Sequence, residues 1–219
     1  MNQHLGHVYL VDDDPDVRFY LSDLLRHLGY TVAVYESAES FFQQALDLSP
    51  AVVLMDVRMP GLTGVQAQQH LTTLGRSTPV VFISGQSQPQ EIIDALKGGA
   101  VDFLIKPFNR EQLVAALERA LKQDRQHRDR FVRQIRVQRL LDTLTEREKE
   151  VFSLMLQGHT NLAIGDITGV QAGTIKKHRA SVLDKFGVKN VAQIMQMCRE
   201  LNLADQSVTQ LGIGTRGTA

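Results

Sequence analysis

Residues 51–64 read AVVLMDVRMPGLTG, a buried-strand pattern followed by a turn. Five apolar residues run without interruption to a single carboxylate, Asp56, and Met59-Pro60-Gly61 then ends the regular structure. Short apolar runs bounded by turn residues are typical of strands that are buried on both faces. In open parallel sheets the reactive groups lie at the carboxyl ends of such strands, where Asp56 is found. A plain turn residue would explain Asp56 equally well, so the other strand ends decide between the two interpretations.

The length and composition are those of a globular protein. The 219 residues suit one large domain or two small ones, with 43% hydrophobic and 22% charged residues. No apolar run approaches the roughly 20 residues of a membrane-spanning helix, and the first residues show no secretory signal. The single cysteine, Cys198, excludes an internal disulfide framework. We therefore expect a cytoplasmic protein that does not enter a membrane.

The formal net charge of zero hides an uneven charge distribution. Residues 1–118 contain seven Lys or Arg and fourteen Asp or Glu, a net charge of −7. Residues 119–142 contain eight against three, and residues 143–219 contain nine against seven. An acidic first half before a basic second part indicates two domains with different partners.

Strand and helix patterns alternate through the first 118 residues. Apolar runs predict five strands, at 8–11, 31–35, 51–55, 79–83 and 101–105. Amphipathic patterns predict helices at 15–28, 37–48, 65–74 and 89–97, and one that begins near 110. This alternation predicts a doubly wound α/β domain with a five-stranded parallel sheet over residues 1–120.

The ends of these strands carry polar residues. The first strand ends at Asp12-Asp13, the third at Asp56, the fourth at Ser84 and the fifth at Lys106. In the flavodoxin-like strand order 2-1-3-4-5 the first and third strands are neighbours, so three carboxylates converge on one crevice. Carboxylates this close require a proton or a cation between them. Because Mg²⁺ prefers oxygen ligands in small sites, we expect it to bind here.

Four separated motifs at these strand ends identify a family. They are VYLVDDD at 8–14, LMDVRMPGLTG at 54–64, FISG at 82–85 and GAVDFLIKPF at 99–108. Together they resemble the receiver domain of two-component response regulators, over residues 5–120. The resemblance implies that Asp56 accepts a phosphoryl group from a phosphohistidine of a sensor histidine kinase. It also implies a regulator that slowly hydrolyses its own phosphoryl group, and not an enzyme.

The resemblance also implies which residues bind the metal. Asp13, Asp56 and the backbone carbonyl of Arg58 would ligate Mg²⁺ directly, and Asp12 would act mainly through water. The metal and Lys106 would neutralise charge that develops on the transferring phosphoryl oxygens.

Further residues of the same resemblance would carry the switch. Ser84 would hydrogen-bond the phosphoryl oxygen, and Phe103 would turn inward behind Ser84. Simple core packing explains Phe103 equally well. The family holds the peptide bond between Lys106 and Pro107 in cis, an isomer that proline tolerates.

Residues 121–141 are predicted to form a helical linker. From 119 to 139 the chain has helix-forming residues and neither proline nor glycine. An exposed linker helix and an extension of the fifth helix that pairs two subunits are both compatible with this pattern.

Residues 142–204 are predicted to form a small all-α domain. Thr145 and Glu148 form a capping-box pattern before an apolar stripe, and Gly158 ends that helix. A short helix at 161–167, a turn and a basic helix at 172–186 then make the helix-turn-helix pattern. The residues of the basic helix that we expect to contact DNA are Thr174, Lys176, Lys177, His178, Arg179 and Ser181.

The motifs LTEREKEVFSLMLQG at 144–158 and TIKKHRASVLDKFGV at 174–188 resemble the LuxR-type output domain over residues 140–201. The whole chain is therefore similar to NarL/FixJ-type response regulators. Three residues depart from the family pattern: Gln171 replaces a capping Ser or Thr, Leu162 replaces a frequent Lys or Arg, and Thr168 replaces a core leucine. The Gly- and Thr-rich tail at 205–219 is predicted to be disordered.

The leading hypothesis is a phosphorylation-dependent transcriptional regulator. Its expected partners are a sensor histidine kinase, double-stranded promoter DNA, RNA polymerase and a second copy of the chain, which would join on phosphorylation. One alternative is an aspartyl-phosphate phosphatase, although a helix-turn-helix would have no role in it. A phosphorylation-independent interaction module is another, and an RNA-binding output is a weaker one.

Overall fold

The computed structural model describes residues 5–43, 49–85 and 88–200. The chain divides into two compact units, Met1–Asp129 and Arg130–Ala219. The predicted disordered tail at 205–219, and residues 44–48 of the second predicted helix, lie outside the described residues. Among the residues that are described, no helix is both long and apolar enough to cross a membrane.

The first unit contains one parallel sheet with the order β2-β1-β3-β4-β5, which confirms the flavodoxin-like order. Its strands are β1 (His7–Val11), β2 (Thr31–Tyr35), β3 (Ala51–Asp56), β4 (Val80–Ser84) and β5 (Asp102–Ile105). Its helices are α1 (Pro15–His27), α2 (Ala38–Phe42), α3 (Gly64–Thr73), α4 (Pro89–Lys97) and the first part of α5 (Arg110–Asp142).

Each face of the sheet has its own apolar core because side chains alternate along a strand. Val52 and Leu54 point into one core, and Val53 and Met55 point into the other. Every residue of β3 is buried, which is the reason for its continuous apolar sequence. The predicted central strand therefore positions Asp56 at its carboxyl end.

Two local features determine how the chain continues after β1 and after β3. Asp14 is the N-cap of α1, and its side chain accepts hydrogen bonds from the backbone amides of Asp16 and Val17. After β3 the chain passes close to itself at Gly64, where a Cβ would lie only 2.3 Å from the backbone oxygen of Asp56. Glycine at 64 therefore lets α3 begin directly beside the end of β3.

Helix α5 is 33 residues long and continues through the predicted linker, residues 121–141. Leu113, Leu117 and Leu121 are buried in the core of the first unit. Val137 and Leu141 are buried in the core of the second. Between these two sets the exposed apolar residues include Phe131, Val132 and Ile135. Whether this stretch pairs two subunits stays an open alternative.

The second unit contains the last part of α5 together with α6 (Glu146–Leu156), α7 (Asn161–Thr168), α8 (Ala172–Phe186) and α9 (Val191–Glu200), packed around an apolar core. The turn between α7 and α8 is tight: Gly169 has φ of +70°, and a Cβ on Gly165 would lie 2.7 Å from the backbone oxygen of Val170. At Gln171 the side chain makes no capping hydrogen bond to α8. These helices form the predicted helix-turn-helix arrangement.

Candidate functional site: an acidic crevice and an exposed basic helix

Two acidic residues meet one lysine at the carboxyl edge of the sheet. Nζ of Lys106 donates hydrogen bonds to Oδ2 of Asp12 and to Oδ1 of Asp56, both at 3.0 Å. Asp12 is 1% exposed and Asp56 6% exposed. The structure therefore brings together side chains from the ends of β1, β3 and β5, as the parallel sheet predicts.

The second oxygen of each carboxylate accepts a backbone hydrogen bond. The amide of Asp14 donates to Oδ1 of Asp12 at 3.0 Å, and the amide of Arg58 donates to Oδ2 of Asp56 at 2.7 Å. The Arg18 guanidinium donates to the backbone oxygen of Asp12 at 2.6 Å. These contacts fix both carboxylates before any ligand binds, which is the preorganisation that a reactive site requires.

The pKa values of Asp56 and Lys106 both differ from their ordinary values. Burial raises the pKa of Asp56, although the hydrogen bonds from Lys106 and from the Arg58 amide act in the lowering direction. Burial by itself would lower the pKa of Lys106, but its hydrogen bonds to Asp12 and Asp56 outweigh that and raise it. Lys106 is therefore a permanent cation at neutral pH, beside a carboxylate whose ionised form is disfavoured by burial.

The other predicted residues of the crevice have different environments. Ser84 is buried at the end of β4, and its backbone oxygen accepts a hydrogen bond from the Lys106 amide at 2.7 Å. Phe103 is half-buried and packs on Phe82 with ring centroids 6.1 Å apart. Asp13 is exposed at the rim. The Lys106–Pro107 peptide bond is cis.

The donor set fits a small, hard cation. Asp12 and Asp56 carry two negative charges against one positive charge on Lys106, which leaves the buried cluster with a net charge of −1 if all three are ionised. The groups are oxygen donors, and Mg²⁺ binds through one or two carboxylates while it keeps several waters. Over residues 5–43, 49–85 and 88–200, however, no group of three His, Cys, Asp or Glu side chains is arranged to hold a metal. A cation here would thus depend on backbone oxygen and water as well as on carboxylates.

One residue near the crevice was missed by the sequence analysis. Oε2 of Glu91, in the first turn of α4, accepts a hydrogen bond from Nη2 of Arg58 at 3.1 Å and one from the Gln88 amide at 2.8 Å. Both hydrogen bonds lower the pKa of Glu91, and the one from Arg58 has the larger effect. Glu at the third position after Gln88 is a helix-start signal, but no local pattern predicts its pairing with Arg58.

On α8 the predicted DNA-contacting residues lie in three different environments. Thr174, Lys176 and Lys177 are exposed. His178 is half-buried. Arg179 donates to the backbone oxygen of His159 at 3.0 Å, so its guanidinium already ties α8 to the segment after α6.

Ser181 belongs to a third environment, a buried cluster between α6 and α8. Its hydroxyl donates to Oε1 of Glu148 at 2.7 Å, and Nζ of Lys185 donates to Oε2 of Glu148 at 2.6 Å. These hydrogen bonds lower the pKa of Glu148 to about 2, and the one from Lys185 contributes more than the one from Ser181. The capping-box pattern identified Glu148 as a cap of α6, which is confirmed, but gave no signal of its ion pair with α8. The DNA contact of Ser181 stays a prediction, and its hydroxyl has a partner within the protein.

Comparison with known proteins agrees with this two-part arrangement. The family model for the response regulator receiver domain matches residues 8–118. The model for bacterial regulatory proteins of the luxR family matches residues 142–198.

Individual relatives extend the similarity over most of the chain. The response regulator protein TmoT of Ectopseudomonas mendocina is 32% identical over 201 residues, which cover 92% of this chain and 91% of TmoT. The transcriptional regulatory protein FixJ of Rhizobium meliloti is 32% identical over 190 residues, 87% of this chain and 93% of FixJ. Among solved structures, response regulator StyR superposes with a TM-score of 0.77 at 31% identity, and the match covers 89% of this chain and 98% of StyR.

Proposed function

Because this chain belongs to the NarL/FixJ-type response regulators, which join a receiver domain to a LuxR-type DNA-binding domain, we propose that phosphoryl transfer to Asp56 controls its binding to promoter DNA. A sensor histidine kinase and DNA are the partners that these two domains imply in general. The observation that carries the proposal is the buried pair of carboxylates, Asp12 and Asp56, joined by Lys106 at the carboxyl edge of the sheet.

The proposed reaction is a single phosphoryl transfer. A carboxylate oxygen of Asp56 attacks the phosphorus of a kinase phosphohistidine, a P–O bond forms and the P–N bond breaks. The Arg58 amide holds Oδ2 of Asp56, and Lys106 holds Oδ1, so the nucleophile is oriented before the donor arrives. Lys106 lies where negative charge accumulates on the phosphoryl oxygens.

The charge and donor chemistry of the crevice support Mg²⁺ as the cofactor. Asp13, Asp56 and the backbone carbonyl of Arg58 would hold the ion, with Asp12 acting through water. When bound, the ion supplies positive charge that neutralises the phosphoryl oxygens. The exposed position of Asp13 at the rim leaves its carboxylate accessible to such an ion.

The proposed switch connects the modified Asp56 with a dimerisation surface. The buried Ser84 and the half-buried Phe103 lie on β4 and β5, next to the crevice, and would move inward when a phosphoryl group binds. Exposed apolar side chains of α4 and β5, namely Ile93, Leu96 and Ile105, support a second copy of the chain as the partner of this face.

The proposed DNA reader is α8. The exposed Thr174, Lys176 and Lys177 form a basic surface that suits a phosphate-lined groove, whereas Arg179 and Lys185 hold the helix to its neighbours. A dimer would present two such helices to two half-sites with two-fold symmetry. We propose that this dimer, bound at a promoter, also contacts RNA polymerase.

Phosphoryl uptake tests the chemical part of this proposal. The full-length protein is incubated with acetyl phosphate with and without Mg²⁺, and peptide mass spectrometry locates the added phosphoryl group. We expect modification of Asp56 only with Mg²⁺, no modification of Asp56→Asn, and normal uptake by the control Asp94→Asn, which changes an exposed acid of α4. A phosphoryl group on another residue of Asp56→Asn at the parent level would overturn the assignment.

A further inference from the structure

One glycine of α8 is explained neither by its backbone conformation nor by lack of space. Of the thirteen glycines in the described part of the chain, eight have a positive φ, which favours glycine. At three others, Gly64, Gly98 and Gly165, a Cβ would lie within 3 Å of another atom. The remaining two are Gly85 and Gly173, where φ is outside the positive range and a Cβ would have no neighbour within 4 Å beyond the surrounding turn of chain. Gly85 follows β4 at the acidic crevice, and Gly173 lies on the proposed DNA reader.

Gly173 belongs to a regular first turn of α8. The backbone amides of Thr174 and Ile175 both donate to the backbone oxygen of Gln171, at 2.9 and 3.1 Å. Glycine is a poorer helix former than alanine because it loses more backbone freedom on folding. Since an alanine has the space and would favour the helix, the stability of the second unit does not explain glycine at 173.

Gly173 lies on the exposed face of α8. Gly173, Lys177 and Ala180 have the i, i+4, i+7 spacing that places residues on one side of a helix, and all three are exposed. The buried Ile175 and Val182 lie on the opposite side. Two small residues, two turns apart, therefore leave the helix backbone accessible on either side of Lys177.

The dimensions of double-stranded DNA make this accessible backbone useful. An α-helix with its side chains is about 10–12 Å wide, and the major groove is about 12 Å wide and about 8.5 Å deep. A helix therefore fills the groove, and its depth of entry depends on the side chains of its innermost face. With no side chain at 173, the start of α8 can approach the base edges more closely than with any other residue.

We infer that Gly173 is a specificity-determining residue, at which the backbone of α8 makes its closest approach to the bases. The inference rests on the proposed role of α8 as the DNA reader, and it assigns part of the fit to a position without a side chain. A side chain at 173 would hold the start of α8 away from the bases and lengthen the contacts of Thr174 and Lys177. Binding to unselected DNA depends mainly on charge and would change little.

A series of side chains of increasing size at 173 tests the inference in the full-length protein. The parent selects a duplex from a random-sequence pool, and all proteins are treated alike with acetyl phosphate and Mg²⁺. We expect Gly173→Ala to bind the selected duplex about tenfold more weakly and Gly173→Leu about a hundredfold or more, the range of one or two lost base contacts. Binding to an unselected duplex of the same length should change by less than about threefold.

Thermal unfolding followed by circular dichroism separates binding from folding. Both variants should keep or exceed the parent midpoint, because alanine and leucine are better helix formers than glycine. The control Gln138→Leu adds the same side chain at an exposed position of α5 and should bind like the parent.

The outcomes distinguish this inference from the proposed function. Parent-like binding of the selected duplex by Gly173→Leu, while Lys177→Ala is weakened, would overturn the inference alone. Parent-like binding by Lys177→Ala as well, or a parent that selects no preferred duplex, would overturn the proposed reader with it. Equal losses in Gly173→Ala and Gly173→Leu would show that backbone flexibility is required instead of close approach. Equal losses on selected and unselected duplexes would show that residue 173 does not determine specificity, and either result overturns the inference.

Discussion

Replacement of Glu148 by glutamine should destabilise the second unit and loosen α8. The Glu148 side chain is 5% exposed, and its two oxygens accept hydrogen bonds from Ser181, Lys185 and the Thr145 amide. An amide removes the charge that pairs with Lys185 and presents N–H groups to an ammonium. Because Lys185 and Ser181 belong to α8, the loss would also affect how the DNA-reading helix is held.

The magnitude follows from the pKa of Glu148. Its pKa is about 2 in the folded protein against 4.5 for an ordinary glutamate. A depression of that size corresponds to an upper limit of about 3.5 kcal/mol, at roughly 1.4 kcal/mol per unit. We expect a loss of about 2 kcal/mol for Glu148→Gln at pH 7. Since the folded pKa is the lower one, the contribution is fully present above about pH 5 and disappears as pH falls through 4.5 towards 2.

Urea unfolding of the full-length protein can resolve this effect. All four tyrosines, at 9, 20, 30 and 35, lie in the first unit, so tyrosine fluorescence reports that unit while far-ultraviolet circular dichroism reports the helices of both. The matched control is Glu146→Gln, which changes an exposed glutamate of the same helix turn. A loss of stability in Glu148→Gln no larger than that in Glu146→Gln at pH 7, or an equal loss at pH 3 and pH 7, would show that the ionised Glu148 does not stabilise the second unit.

Two further predictions concern the two proposed sites. Since burial raises the pKa of Asp56 in the folded state, its ionisation opposes folding above that pKa, and Asp56→Asn should raise the urea midpoint of the tyrosine signal at pH 7. This gain should shrink as pH falls through the raised pKa towards 3.8, and a gain independent of pH would contradict it. Lys177→Ala should weaken specific DNA binding by about 1–3 kcal/mol if Lys177 reads a base, or lower the salt slope by about one if it contacts only phosphate. Lys189→Ala, at an exposed lysine outside α8, is the control, and equal binding by both variants would exclude Lys177 as a reader.

The sheet and the acidic crevice could be predicted from the sequence because their signals are local. The apolar run before Asp56 marks a strand buried on both faces, and parallel topology then brings the strand ends to one edge. For that reason Asp12, Asp56 and Lys106 lie in contact, although Asp56 is 44 positions after Asp12 and Lys106 is 50 positions after Asp56 in the chain.

Pairings between side chains could not be predicted in the same way. The ion pairs of Glu91 with Arg58 and of Glu148 with Lys185 depend on how helices pack, which no short pattern encodes. In each case the sequence showed only a helix-start signal. The partners of Ser181 were missed for the same reason. The sequence indicated a DNA contact for this residue, whereas packing against α6 half-buries it.

The burial of Gln68 had no sequence signal. Glutamine within a helix is usually an exposed residue, and a glycine after a helix end is usually explained by its backbone conformation. Only the packing of α3 against the end of α4 shows that Gln68 is buried and that Gly98 makes space for it.

Control of DNA binding by phosphorylation of Asp56 can be measured in a binding titration with the full-length protein. A promoter fragment selected by genomic pull-down is titrated with parent and Asp56→Asn protein, each with and without acetyl phosphate and Mg²⁺. We predict that phosphorylation raises the apparent affinity of the parent by about tenfold or more, because pairing of receivers lets both half-sites bind together, and that Asp56→Asn shows no change. Equal affinity of the parent with and without a phosphoryl group that mass spectrometry has located on Asp56 would show that this modification does not control DNA binding.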